Sequence, residues 1–101
     1  MKISIIIPVF NESKKIFKIL KKISEVKKIK KEVIIINDGS TDNTKNILDD
    51  LKKKSQIIKT YDHDKNQGKG AALKTGFSKS SGDIILVQDA DLEYDPNDYQ
   101  K

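Results

Sequence analysis

Cysteine, tryptophan and arginine are all absent from this 101-residue chain. Without cysteine there is no disulfide framework and no thiolate for metal binding or nucleophilic attack, a composition that suits a reducing compartment. The missing arginine bears on the charge. All 20 basic residues are lysine, whereas the planar fork that reads bases and phosphates in two-pronged fashion is built from arginine. The net charge of +5 is therefore no signature of nucleic-acid binding, and no nucleic-acid partner is expected. Long apolar runs are missing too: none approaches the ~18 residues of a membrane span. Met1 to Ile7 enters a strand pattern directly, with no signal-peptide layout, so a cytoplasmic location is expected. The length allows one small domain, burying about 65% of the surface its unfolded chain exposes.

The charge that is present is unevenly spread. Ten lysines lie between Lys2 and Lys31 against only Glu12 and Glu25, while the stretch between Lys79 and Lys101 holds no base and six acids. A concentrated acidic end suits a cation.

Ser4 to Val9 is a near-continuous β-branched run, the pattern of a strand buried on both faces in a parallel sheet. Ile16, Leu20, Ile23 and Val26 then recur at helical spacing, with Phe17 and Ile19 widening the stripe and Ser13 as N-cap. Val33 to Ile36 is a second apolar strand that stops at the polar turn Asn37 to Asp42. Thr41 or Asp42 then caps a second helix that faces inward through Ile47, Leu48 and Leu51. Gln56 to Tyr61 reads as a third strand, Asp62 to Gly70 as a loop, and Ala71 to Ser80 as a third helix packed through Ala72, Leu73 and Phe77. Asp83 to Gln88 is the fourth strand. Strand and helix alternate, which predicts an α/β fold: three α/β/α layers, with four strands in an open, mostly parallel sheet and three helices. Ligands of such sheets bind outside the carboxyl ends of the strands, where strand order reverses. Asp95 followed by Pro96 begins a further helix of barely one turn, so the chain reads as the front part of something longer.

The strongest chemical signal is Asp89-Ala90-Asp91, two carboxylates placed directly after the apolar run Ile84 to Val87. Hard oxygen ligands at a strand end suit Mg²⁺ or Mn²⁺, ions that also hold a substrate's phosphates. Glu12, Asp38, Asp89 and Asp91 all fall at one edge of the expected sheet, a costly convergence of like charge unless a cation or donor-rich ligand sits there. Gly39 is expected to supply a positive φ in its turn. Other phosphate sites fail. A P-loop needs glycine where His63 stands and Ser or Thr where Gly70 stands. The dinucleotide fingerprint needs a small residue at Leu73 and belongs after the first strand. Aspartyl phosphotransferases carry their carboxylate pair after the first strand, here the fourth. His63, flanked by Asp62 and Asp64, is expected to be solvated, and no nucleophilic elbow is present.

Pro8-Val9-Phe10-Asn11-Glu12, Asn37 to Thr44, Asn66-Gln67-Gly68-Lys69-Gly70-Ala71-Ala72 with Gly76, and Asp89 to Glu93 with Pro96 come in the order and spacing of the family 2 glycosyltransferases. The chain resembles most their dolichyl-phosphate mannose synthase and polyprenyl-phosphate glycosyltransferase branch. The resemblance implies that residues 1–101 are the nucleotide-sugar-binding half of a GT-A fold, without the acceptor half. It implies metal-dependent, inverting transfer from a UDP- or GDP-linked sugar to a polyprenyl phosphate or other cell-envelope glycan acceptor, at the cytoplasmic face of a membrane. Carried over by position, Pro8, Phe10 and Glu12 would line the base and ribose pocket. Ile36 and Asp38 would flank the base, Lys69 would approach the diphosphate, and Asp89 and Ala90 would meet the nucleotide. Asp89, Asp91 and Glu93 would hold the metal. Asn37 stands where the family often has a carboxylate. No catalytic base is assigned, because in the family it follows this half.

Two further expectations follow. The family's fourth strand is interior, so here Ile84 to Val87 would be an exposed apolar edge, and a homo-oligomer burying that strand or Asp95 to Lys101 is expected. The alternative to an enzyme is a noncatalytic nucleotide- and metal-binding fragment that self-associates.

Overall fold

The computed structural model describes residues 1–24 and 30–88. Three parallel pairings join β1 (Lys2–Val9), β2 (Lys30–Asp38), β3 (Ile58–His63) and β4 (Ile84–Val87) into one sheet of order β3-β2-β1-β4. Between them run α1 (Ser13–Ser24), α2 (Thr44–Lys54) and α3 (Lys69–Lys79). This is the predicted α/β architecture, with four strands and three helices.

Alternation along the two central strands separates the layers. Ile5, Ile7 and Val9 of β1 and Val33 and Ile35 of β2 face one way, where Ile16, Ile19 and Ile23 of α1 and Leu48 of α2 close on them. Ile6, Ile34 and Ile36 face the other way, toward Ala72 of α3. Because both faces are covered, the central stretches Ile5 to Ile7 of β1 and Val33 to Ile36 of β2 are unbroken apolar runs, as parallel strands require. α3 approaches closely because Gly76 has no side chain: a Cβ there would come 2.5 Å from Cγ2 of Ile6.

Several boundaries differ from the expectation. The third strand starts and ends two residues later than Gln56 to Tyr61, because Ile58 pairs with Val33 and His63 with Asp38. α3 begins at Lys69 and not Ala71, following Gly68 with its φ of 97°. Phe77 does not pack inward but is half exposed, and so is Phe17; Ala72 and Gly76 are the buried residues of α3. Asn43 occupies the N-cap position of α2, yet the cap hydrogen bond comes from Asp42, whose Oδ1 accepts the N–H of Thr44 at 2.9 Å and also its hydroxyl. Ser13 is the first helical residue of α1 rather than its cap, and the Glu12 carbonyl accepts from Lys15 and Ile16. Val26 lies outside the described residues.

At the amino ends of the strands a buried carboxylate closes the sheet. Glu32 Oε2 accepts from Ser4 Oγ at 2.6 Å, Ser81 N at 2.7 Å and Ser81 Oγ at 2.9 Å, while Oε1 takes Lys59 Nζ at 2.9 Å. Burial disfavours its charge, but these donors outweigh burial and hold the carboxyl far below the usual range. Gly82 must be glycine-like there, since a Cβ would lie 2.6 Å from Ser4 Oγ.

Candidate functional site

Strand order reverses between β1 and β4: the chain steps outward from β1 to β2 and β3, then crosses back to add β4 on the other side of β1. Such a switch point splays the connecting loops and leaves a crevice at the carboxyl ends of the strands. A cleft of about 240 Å³ opens at this edge, lined by Pro8, Val9, Phe10, Asp38, Asn66, Gly68, Lys69 and Ala72. Phe10 is 42% exposed and forms one wall.

The loops around the cleft are held by side chains that answer backbone donors. Asn11 takes a φ of 53°, a region that asparagine tolerates better than most residues. Its Oδ1 accepts from Thr41 N at 2.7 Å and Asp42 N at 3.2 Å, and its own N–H donates to Ser40 Oγ at 2.9 Å. The loop after β1 is thus stitched to the loop after β2. Asp42 completes the junction. The Thr44 hydroxyl does most to hold the Asp42 carboxyl below its ordinary value; burial opposes this, and the N–H of Thr44 and the groups of Ser13 reinforce it. Gly39 has the expected positive φ, 75°, and a Cβ on it would overlap the backbone of Lys65 and Asn66. Its missing side chain lets the loop after β3 lie against the turn after β2.

Asn37 has a defined task in this turn. Its Oδ1 accepts Ser40 N at 3.1 Å while its Nδ2 donates to Asp62 Oδ1 at 3.0 Å. A carboxylate at this position would face Asp62 with no proton to give, which accounts for the amide.

Asp38 is the centre of the cleft's floor. It is 4% exposed. Its Oδ1 accepts from His63 Nδ1 at 2.8 Å and Gln67 N at 2.9 Å, and its Oδ2 from Gly68 N at 3.0 Å. Burial raises the pKa of this carboxyl, but the two backbone N–H groups and His63 outweigh burial and lower it. His63 is therefore not solvated as expected. Register places it beside Asp38, and its Nε2 reaches Thr75 Oγ1 at 2.9 Å.

Of the residues singled out from the sequence, the structure brings Pro8, Phe10, Asp38 and Lys69 together around the cleft. Ile36 is wholly buried in the core beneath α3 and Glu12 sits at the start of α1, and neither is part of the lining. Asp89, Ala90, Asp91 and Glu93 lie outside the described residues. The described chain stops one residue short of them: β4 pairs alongside β1 as far as Val87 with Ile6, and Gln88 N donates to Ile6 O at 2.9 Å. Among the described residues no cluster of three His, Cys, Asp or Glu could hold a metal. The carboxylate pair in the sequence supplies the hard donor chemistry that Mg²⁺ or Mn²⁺ prefers. Among the described residues no helix is long and apolar enough to cross a membrane.

Residues 4–101 match the family model described as Glycosyl transferase family 2. The chain belongs to glycosyl transferase family 2. A bactoprenol glucosyl transferase of Shigella phage SfV is 37% identical over 96 residues, covering 92% of this chain and 31% of that protein. A dolichyl-phosphate beta-glucosyltransferase of Trichomonas vaginalis is 38% identical over 94 residues, covering 85% of this chain and 28% of that one. The chain thus spans about a third of the length of these curated relatives. Among solved structures, a mannosyltransferase from Pyrobaculum calidifontis in complex with GDP-Man and Mn²⁺ superposes with a TM-score of 0.81 at 27% identity, over 88% of this chain and 27% of that one. S. aureus TarS 1-349 in complex with UDP-GlcNAc gives 0.79 at 27% identity, over 90% and 27%. The family 2 chain accordingly has a GT-A-type α/β fold.

Asn66, Gly68 and Ala72 of the cleft, and the His63 contact behind it, were not singled out as site residues from the sequence. The Asn66-Gln67-Gly68 motif carried a signal for the first two. His63 carried none, because its partners are fixed by strand register.

Proposed function

We propose that this family 2 chain is the donor-binding domain, residues 1–101, of a metal-dependent inverting glycosyltransferase. Its donor is a UDP- or GDP-linked sugar and its acceptor a polyprenyl phosphate or related glycan carrier at the cytoplasmic face of a membrane. The observation that carries this reading is the cleft at the carboxyl edge of the sheet, where Phe10, Asp38 and Lys69 meet, together with the Asp89-Ala90-Asp91 motif that follows β4 in the sequence. The relatives named for bactoprenol and dolichyl phosphate support the acceptor class.

In this reading the base lies against Phe10 and Pro8, and Asp38, whose Oδ2 has a single protein donor among the bonds described, retains a lone pair for a ring N–H of uracil or guanine. Lys69 at the head of α3 approaches the diphosphate. Asp89, Asp91 and Glu93 would hold the divalent ion, which when bound neutralises charge developing on the departing nucleoside diphosphate. The acceptor oxygen bonds to the anomeric carbon as the bond to the diphosphate oxygen breaks. A phosphate acceptor is already ionised near neutral pH and needs no base.

Calorimetric titration with UDP and with GDP, each with Mn²⁺, tests the site and selects the base. One nucleotide binds the parent, and Asp91→Asn abolishes that binding while its circular dichroism and melting curve stay those of the parent. Equal affinities for parent and variant would remove the metal site from the account.

The edge strand supports a second reading for the chain by itself, a noncatalytic fragment that self-associates. Among the described residues β4 is an edge strand, with Ile84, Ile85 and Val87 39%, 41% and 38% exposed, and an unpaired apolar edge tends to recruit another strand. Sedimentation velocity at micromolar concentration is expected to show a homo-oligomer formed through β4. A compact monomer contradicts it.

A further inference from the structure

The contact between His63 and Asp38 does more than fill space at the end of β3. Asp38 is ionised and only accepts, so Nδ1 carries a proton and donates to it, while Nε2 is hydrogen-bonded to the Thr75 hydroxyl, which can give or take a proton. One imidazole therefore links the carboxylate on β2 to the second turn of α3, with 2.8 Å and 2.9 Å contacts at its two nitrogens. The His63 side chain is 10% exposed and that of Asp38 6%, so water competes weakly for either bond. Asp38 in turn holds the N–H groups of Gln67 and Gly68, the two residues that lead into Lys69. Gly68 can follow this path because its φ is 97°, with open space where a Cβ would stand. The head of α3 is thus fixed twice by one chain of bonds: through Asp38 at its N-cap residue Gly68 and through Thr75 farther along.

We infer that His63 is a positioning residue for the donor site: by fixing the Asp38 carboxylate and α3 together, it sets where Lys69 meets the diphosphate of a bound nucleotide. The inference rests on the donor-site reading above and assigns that reading a residue which touches neither base nor phosphate. Its effect falls more on the phosphate end of the ligand than on the base: among the described residues Asp38 is the only base contact that His63 touches, and the wall formed by Phe10 and Pro8 is carried by β1 and its loop.

Two measurements on the full chain test this. Amide hydrogen exchange without nucleotide reads the anchor alone, and paired titrations with nucleoside diphosphate plus Mn²⁺ and with the matching nucleoside read the ligand. His63→Ala is expected to speed exchange at Gln67 and Gly68 roughly tenfold and to weaken UDP or GDP by a similar factor, about the worth of one charge-assisted hydrogen bond. Affinity for uridine or guanosine falls by clearly less than that factor. His63→Asn, whose amide can still donate to Asp38, recovers most of the diphosphate affinity, and Thr75→Val reproduces a part of the loss. Unchanged exchange at Gln67 and Gly68 in His63→Ala overturns the inference. Equal weakening of nucleoside and diphosphate overturns it as well, since that is what general loosening of the fold produces. A parent chain that binds neither nucleotide sinks the donor-site reading itself, an outcome distinct from these two.

Discussion

The two ends of β2 each carry a buried carboxylate, and the two do opposite things. Glu32, at the amino end, is enclosed by Ser4, Ser81 and Lys59 from three other segments, and all that it touches is protein. Asp38, at the carboxyl end, gathers the loop 66–68 and His63 and leaves a cleft on its far side. A carboxylate becomes a clasp where the chain closes over it and part of a site where the chain order leaves a crevice. The difference lies in topology and not in residue type: strands enter the sheet at one end as neighbours, but at the other their connections diverge from the switch point.

Removing Glu32 is expected to have the largest effect on stability. Glu32→Ala strands the buried Ser4 hydroxyl and takes the acceptor from Ser81 N–H and Lys59, and should cost about 3 kcal/mol, read as a lowered urea midpoint with unchanged slope. Nucleotide affinity should be that of the parent, since no contact runs from this clasp to the cleft. Loss of nucleotide binding in a folded Glu32→Ala would break the separation of the two ends.

Gly39→Ala comes next. It forces a side chain onto a φ of 75° and into the backbone of Asn66, so about 2 kcal/mol is expected from strain and displacement together. Here, by contrast with Glu32→Ala, nucleotide binding should weaken as well, because the displaced segment lines the cleft.

Acid separates the ends by degree. Both carboxyls have folded-state pKa values below the unfolded range, so their stabilisation is fully present above about pH 4.5, the unfolded value, and is lost as pH falls toward the folded values. Stability should be level through neutrality and decline below about pH 4.5. Glu32→Gln should flatten that decline more than Asp38→Asn, because the Glu32 carboxyl is held further down. A variant whose decline is as steep as the parent's would show that its carboxyl contributes nothing to acid unfolding.

Much of this architecture was legible in the sequence, and the limits follow the physics. β1 and β2 announce themselves because burial on both faces demands unbroken apolar runs, and α1 and α2 because their buried faces repeat at helical period. β3 was displaced by two residues: its partner is a single edge pairing, and Lys59 and Thr60 hide the pattern. Gly68-Lys69-Gly70 suggested a loop, but α3 starts within it, since a glycine at its N-cap only ends the irregular segment. Pro8, Phe10, Asp38 and Lys69 were picked out by the family resemblance, carried over by position, and of these only Asp38 was also marked by its place at a strand end. Glu32 and His63 were not, because what defines them is pairing across 28 and 25 residues of chain, and nothing local distinguishes a clasped carboxylate or a bridging histidine from solvated ones.

The claim that the carboxyl edge binds the donor while the amino edge only holds the sheet together is tested most directly by hydrogen exchange with and without nucleotide. With UDP or GDP and Mn²⁺ added to the parent chain, amides of residues 10–12 and 66–72 should slow, and those of Glu32, Ser81 and Gly82 should keep their rates. Slowing centred on Ser81 and Gly82, with residues 66–72 unaffected while nucleotide is bound, would contradict it.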